Sequence, residues 1–465
     1  MPVTVKTMTQ HVKTLIILGA SGDLTSRLLL PALGQLLTLQ PDRRLKLIGS
    51  GGMEWTDAEW RKVVRESFST VKAKGPAVAD LLKKTVYIKS DVTQTDDLQQ
   101  LLDTADGTPA LYFALPPAVT ALACKALAQL KLPADIQLAL EKPFGLDQKS
   151  AHALNQQLAT FVSEDQIHRI DHFLGRSTVF NLLGLRFANR IFEPLWNAGH
   201  IERVDIVYDE QLGLENRAGY YDKAGALVDM IQSHLLQVLA VIAMEPPSTL
   251  SAADLRDAKG ILLRATRVWD DSPVDSSRRA RYTAGTAGGE KMPSYVAENG
   301  VDPSLNTETL AEVTLEVNTW RWAGVPFTLR SGKALAEHRR EIVITFKPAQ
   351  RVPKGLSGIE APDKLRLLLA PDAMSLELNV NGPGDPYVLD RGMLQAEFGD
   401  GQLLAYAEVL EAVFDGDPSL SVRGDTAEEC WRIVAPVITE WKEGKVPLDS
   451  YAAGSAGPAK WRPIG

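Results

Sequence analysis

The apolar positions of the first third of the chain gather in short runs, the first of them entered through an alternating stretch. Val12–Leu18, Leu45–Ile48, Val86–Ile88, Ala110–Ala114 and Ile136–Leu140 are five such runs. A strand with one wet face reads apolar-polar-apolar, so continuous runs predict strands buried on both faces. Between the first two, Leu24–Leu39 carries apolar residues at helical spacing. Pro31 lies inside it, which requires either a later helix start or a tolerated bend. Thr56, with Glu59 three residues on, has the form of a capping box opening a further helix. Strand, turn and helix recurring in this order predict a mostly parallel, covered sheet. After about Asp171 the rhythm changes. Strands are expected at Ile201–Tyr208, Ala311–Val317, Glu341–Phe346, Met374–Val380 and Leu403–Val409, and longer helices at Ser177–Asn189, Leu227–Met244 and Thr426–Glu443. That half reads as α+β around a broad, chiefly antiparallel sheet. The expected division is residues 1–172 and 173–465.

Length and composition fit this picture. A chain of 465 residues exceeds what one core organises comfortably, and its 45% apolar and 23% charged fractions are those of a globular protein. The formal net charge is -8, with Lys and Arg dispersed, which argues against a nucleic-acid surface built on clustered cations. Cys124 and Cys430 are the only cysteines and neither has metal-ligand spacing; no metal site is expected. Neither a secretory leader nor an uninterrupted apolar 18-mer is evident, so no membrane partner is expected and a cytoplasmic location is the economical one.

The first predicted strand ends in Gly19-Ala20-Ser21-Gly22-Asp23-Leu24. Small residues between a strand and a helix let backbone amides approach a phosphate at the helix start. The spacing is not the common Gly-x-Gly-x-x-Gly, so the turn alone leaves open a plain loop, a dinucleotide site or another phosphate site. Its place in the α/β rhythm favours the dinucleotide, with Gly19, Ser21, Gly22, Asp23 and Leu24 as contacts and Arg27 near the pyrophosphate. The end of the second strand ordinarily meets the adenosine ribose. Gly49-Ser50-Gly51-Gly52 stands there, with no basic residue before Arg61. Lacking a local cation for a 2′-phosphate, the segment favours NAD slightly over NADP, with Ser50 as a contact.

A second informative segment is Arg169-Ile170-Asp171-His172-Phe173-Leu174-Gly175-Arg176. With Glu141-Lys142-Pro143-Phe144-Gly145, Leu185-Arg186-Phe187-Ala188-Asn189, Gly219-Tyr220-Tyr221-Asp222, Asp229-Met230-Ile231-Gln232-Ser233-His234, Val325-Pro326-Phe327, Gly332-Lys333 and Ala453-Gly454-Ser455, it resembles the glucose-6-phosphate dehydrogenase family along nearly the whole chain. The resemblance implies an N-terminal Rossmann-like domain, a C-terminal domain with a large mainly antiparallel sheet, and homodimers or homotetramers. It also implies oxidation of a hexose 6-phosphate at C1. His234 falls on the family's catalytic base and Asp171 on its orienting carboxylate. His172 falls on a phosphate contact, and Lys142, Glu210, Asp229 and Lys333 on substrate positions, Lys142 also reaching the nicotinamide. A neutral histidine suits removal of the C1 hydroxyl proton as hydride leaves.

The departures concern the anion. Phe173 stands where the family has Tyr, Arg176 where it has Lys, Leu28 at a basic position, and His338 where another basic residue is common. His172, Arg176 and His338-Arg339-Arg340 still supply cations for a dianion, and Arg offers a planar fork in place of an ammonium. A free hexose, another C6-substituted aldose, and a non-catalytic sugar-phosphate sensor are the alternative readings.

Overall fold

The computed structural model describes residues 12–171, 173, 177–214, 218–358, 361–369, 372–397 and 403–465. His172 and Arg176 lie outside the described residues. The chain forms two compact units. One comprises Met1–Gly175 together with Pro247–Asp257 and Gly401–Glu428, and the other comprises the remainder.

In the first unit six strands lie parallel: β1 (Thr14–Leu18), β2 (Lys46–Gly51), β3 (Val86–Lys89), β4 (Pro109–Phe113), β5 (Gln137–Leu140) and β6 (Ile167–Ile170), in the spatial order 6-5-4-1-2-3. A short strand at Ser421–Val422 adds antiparallel to β6. The continuous apolar runs have their expected cause. Leu15 and Ile17 enter one core with Leu33, Leu36, Trp60 and Phe68, while Ile16 and Leu18 enter another with Leu111, Leu127 and Leu138. Successive side chains of one strand therefore serve opposite faces of a covered sheet.

Helix starts follow local chemistry. The Thr56 hydroxyl accepts from Glu59 N–H, and Glu59 Oε2 accepts from Thr56 N–H at 2.7 Å, closing the expected box ahead of Asp57–Thr70. Pro31 is accommodated because a π-helical turn, Thr25–Leu29, precedes an α-helix that begins at Leu30, placing the proline in the first α turn, where no N–H partner is needed.

One expected strand is overturned. Leu403–Val409 belongs mostly to a helix, Ala405–Asp415, whose Ala407, Leu410, Val413 and Phe414 are buried against Leu33 and Leu36 of the first unit. The apolar residues recur every three or four positions, and the longer window shows the helical period that the short one hid. This helix is also why a single boundary at 172/173 does not describe the chain: Val12 N–H donates to Phe414 C=O at 3.1 Å, and Arg43 pairs with Asp415 at 2.8 Å.

The second unit is organised on an eleven-stranded mixed sheet in which β7 (Ile201–Asp209) pairs parallel with Phe327–Gly332 and antiparallel with Arg339–Phe346. Most other neighbours are antiparallel, as expected. The apolar stretch 218–243 is long enough to cross a membrane by length and composition, but 89% of its most apolar window is buried within the protein. Gly225 kinks it, and Leu227–Leu235 is π-helical before the α-helix Leu236–Ala243.

Candidate active site

The first unit carries its candidate residues along the carboxyl edge of the parallel strands, the edge at which open α/β sheets bind ligands. The Gly19 turn leaves β1 there. Gly19 and Ala20 N–H both donate to Ser50 C=O at 2.9 and 2.8 Å, and Gly22 N–H donates to Gly19 C=O at 3.0 Å. Gly19 has φ +86°, and a Cβ on it would lie 2.3 Å from Ala114 C=O, so only glycine fits. A cleft of about 550 Å³ opens beside the turn, lined by Gly19, Ser21, Gly51, Gly52, Lys89 and Asp91 among others. The close backbone approach and the glycine shelf are the features a dinucleotide requires, and the residues present fit one.

Within the cleft the expected contacts separate by role. Ser21 faces it, whereas the buried Ser50 hydroxyl is bonded to that of Ser90, leaving Ser50 a structural part in holding the turn through its carbonyl. Leu24 packs on the core, and Arg27 is engaged by Asp23 at 3.1 Å on the surface. Sequence reasoning missed Lys89 at the end of β3. It is a lining cation, paired with Glu54, in a cleft that two carboxylates, Asp91 and Asp97, also line. Gly52 has nothing within 4 Å of a built Cβ, so the position after β2 is open space.

Lys142 is the second residue past β5, and Glu141 between them accepts from the Tyr112 hydroxyl. Burial lifts the Glu141 carboxyl to about 7 against the opposing pull of Tyr112, the Lys142 charge and Tyr406. Asp171 follows β6, is buried, and accepts from Phe173 N–H at 2.9 Å. The Phe173 ring is buried as well.

In the second unit the strand ends bring several predicted residues together. Glu210 follows β7 and Lys333 follows the adjacent parallel strand, with Glu210 N–H bonded to Gly332 C=O at 2.8 Å. Their side chains pair at 2.8 Å, and Arg340 stands 3.7 Å from the other Glu210 oxygen. Lys333 Nζ also lies 5.2 Å from the centre of the Tyr221 ring. Burial, then the nearby Asp229 carboxylate, pushes the Tyr221 phenol well above its ordinary range, so its hydroxyl stays protonated. Tyr221, Lys333 and Asp229 thus share one locality, with Glu210 and Arg340 attached to it. His338 is exposed.

Asp229 and His234 are both buried on the π-helical segment. Its i→i+5 bonding is shown by Leu236 N–H donating to Ile231 C=O. In an α-helix of 3.6 residues per turn, residues five apart point roughly 140° away from each other. The wider turn of a π-helix brings them nearer to one face, within about 50° of each other. The unusual turn therefore aligns two side chains that an ordinary helix would separate, which the expectation of a plain helix over Leu227–Met244 did not anticipate.

Among the described residues no cluster of three His, Cys, Asp or Glu side chains is placed to hold a metal ion.

Comparison with known proteins identifies the family. The profile of the glucose-6-phosphate dehydrogenase NAD binding domain matches residues 16–181, and that of the glucose-6-phosphate dehydrogenase C-terminal domain matches 183–464. The chain is 37% identical over 472 residues to glucose-6-phosphate 1-dehydrogenase of Dickeya dadantii, covering 97% of this chain and 96% of that one. It is 39% identical to the enzyme of that name from Gluconobacter oxydans over 463 residues, covering 95% and 94%. The crystal structure of glucose-6-phosphate 1-dehydrogenase from Mycobacterium avium superposes with a TM-score of 0.84 at 32% identity, covering 97% and 96%. A glucose-6-phosphate dehydrogenase in complex with glucose 6-phosphate gives 0.86 at 28% identity, covering 97% of both chains. The chain belongs to the glucose-6-phosphate dehydrogenase family.

Proposed function

We propose that this chain oxidises β-D-glucose 6-phosphate at C1 to 6-phospho-D-glucono-1,5-lactone, using NAD in preference to NADP. The observation that carries the sugar reading is the locality of Glu210, Lys333, Arg340, Asp229 and Tyr221 beside the π-helix that presents His234. Carboxylates accept from sugar hydroxyls, while Lys333 and Arg340 offer the positive charge that an anionic sugar needs. These groups favour a phosphorylated hexose over a free one.

The dinucleotide, held by the Gly19 turn and the glycine shelf of Gly51 and Gly52, supplies the hydride acceptor when bound. In the proposed step His234 takes the proton of the C1 hydroxyl on a ring nitrogen as carbonyl character develops at C1. Asp171 is assigned the orienting role, stabilising the imidazolium so formed. Lys142 is assigned to positioning the sugar hydroxyl against the nicotinamide. His172 and Arg176 remain the proposed phosphate contacts by resemblance.

Support for NAD comes from the cleft. No side chain fills the open position at Gly52, Lys89 is engaged by Glu54, and Asp91 and Asp97 add negative charge where a 2′-phosphate would add two more. The test is a four-way comparison of glucose 6-phosphate and glucose, each with NAD and with NADP. The expected result is highest kcat/KM for glucose 6-phosphate with NAD. Efficient oxidation of free glucose overturns the substrate assignment, and higher kcat/KM with NADP overturns the cofactor preference.

We further infer self-association, as the resemblance implies. Val380, Val388, Met393 and Leu394 on the last strands of the large sheet are exposed. Light scattering behind size exclusion checks this, and a monomer at micromolar concentration refutes it.

A further inference from the structure

Glu308 is a buried carboxylate in neither the sequence motifs nor the site described above. It precedes the strand Leu310–Val317 and touches the start of the π-helix twice. Ala226 N–H donates to its main-chain oxygen at 3.3 Å, and Leu227 N–H donates to its side-chain Oε1 at 3.0 Å. Those are two of the N–H groups that a helix start leaves without partners, and a carboxylate there is also favoured by the helix dipole.

The contact is built into the backbone. Gly225 has φ +66°, and a Cβ on it would lie 2.2 Å from Glu308 Oε1. The absence of a side chain at 225 is what lets the carboxylate reach Leu227. The same short segment makes further contacts beside residues of the site. Thr307 Oγ1 bonds Asp222 C=O, in the kinked helix that carries Tyr221. Thr309 C=O accepts from Lys333 N–H at 2.9 Å, and Tyr451 O–H donates to Lys333 C=O at 2.6 Å while also bonding Thr309. Three consecutive residues thus hold the start of the helix bearing Asp229 and His234, the helix turn next to Tyr221, and the backbone of Lys333.

We propose that Glu308 is a positioning residue for the C1 chemistry, setting the start of the π-helix and thereby the angular placement of Asp229 and His234 relative to Lys333. The proposal rests on the reading of His234 as the base. Its logic is one of reach: an acceptor must stand at the distance of a glutamate Oε1. Burial lifts the Glu308 carboxyl to about 7 despite Leu227 N–H and Arg279, so the position tolerates a neutral acceptor of the same length.

The experiment compares E308Q, E308D and E308A with wild type and with H234N, measuring kcat, KM for glucose 6-phosphate, dinucleotide binding by fluorescence, and thermal midpoint. E308Q keeps the acceptor at full length and is expected to retain kcat within about threefold. E308D and E308A withdraw it and are expected to lose about tenfold or more in kcat, the scale that small misplacements of a reacting group produce. Dinucleotide binding, which depends on the Gly19 turn, stays unchanged in all three. Wild-type kcat in folded E308D or E308A overturns the proposal. So does a loss in E308Q equal to that in E308D, because charge rather than reach would then be at work. Where E308A does not fold, the Gln and Asp variants carry the comparison. Normal turnover by H234N refutes the base, and with it this role, whereas a dead H234N beside a fully active E308D refutes only the positioning.

Discussion

Substituting Gly19 by alanine tests the cofactor turn through its backbone. The new Cβ would stand 2.3 Å from Ala114 C=O. Comfortable contact requires 3.4 Å or more, so the turn must move by about 1 Å. That movement is opposed by the bonds from Gly19 and Ala20 N–H to Ser50 C=O, 2.9 and 2.8 Å long, which would stretch beyond useful range. An L-residue at the Gly19 φ of +86° costs about 1–2 kcal/mol, and weakening two backbone bonds adds roughly 1–3 kcal/mol. The expected total is about 2–5 kcal/mol of stability, part of which the turn relieves by shifting into the dinucleotide cleft. Dinucleotide KM should then rise by about tenfold or more, the equivalent of 1.4 kcal/mol. Urea unfolding followed by tryptophan fluorescence reads the first effect, and initial rates at saturating sugar phosphate read the second. Gly52→Ala is the matched control, because its Cβ meets nothing within 4 Å. A Gly19→Ala protein with wild-type urea midpoint and dinucleotide KM would refute the reasoning.

Two other outcomes are expected. Gly52→Arg places a guanidinium in open space at the ribose end of the cleft and should raise kcat/KM for NADP by about tenfold, as a charge-assisted bond of about 1.5–3 kcal/mol allows; an unchanged NADP/NAD ratio contradicts the placement of that end. His168 lies fully buried with Nε2 2.8 Å from Gln137 Oε1 and Nδ1 3.2 Å from Ser421 Oγ, and burial, then the Arg256 charge, holds its pKa down at about 3. Because the folded value lies below the unfolded value of about 6.5, its contribution is complete above pH 6.5 and is lost as pH falls toward 3, by about 2 kcal/mol at pH 5. His168→Gln should shrink the difference between urea midpoints at pH 7.5 and pH 5; an undiminished difference assigns the acid sensitivity to other groups.

Much of the first unit was legible because a parallel sheet covered on both faces writes itself as apolar runs. The capping box at Thr56 was equally plain, being local chemistry. β6 was not, since Ile-His-Arg-Ile lacks an apolar run: His168 is buried only because Gln137 and Ser421 meet it, and Arg169 because Glu164, Asn155 and Val422 C=O satisfy it. Each partner is distant in sequence or unremarkable alone. The candidate residues were found through motif resemblance, whereas Lys89 and Glu308 carried no motif and acquire meaning only from strand order and the Gly225 kink. The π-helix escaped for another reason: Leu227, Asp229, Met230, Ile231, Gln232, His234 and Leu235 are all buried, so no single apolar face marks one helical period over the other.

The helix Ala405–Asp415 has a consequence for how the molecule is made. It covers part of the core built by β1, β2 and the helix Leu30–Leu39, yet it is synthesised about 370 residues after Arg43, which it ultimately engages through Asp415. At roughly 5–20 residues per second, a ribosome takes tens of seconds to span that interval. Throughout it the nascent dinucleotide unit carries an uncovered apolar face beside Leu33 and Leu36. The unit nearest the N-terminus is thus the one that finishes late, and its exposed intermediate is where a chaperone has most to do.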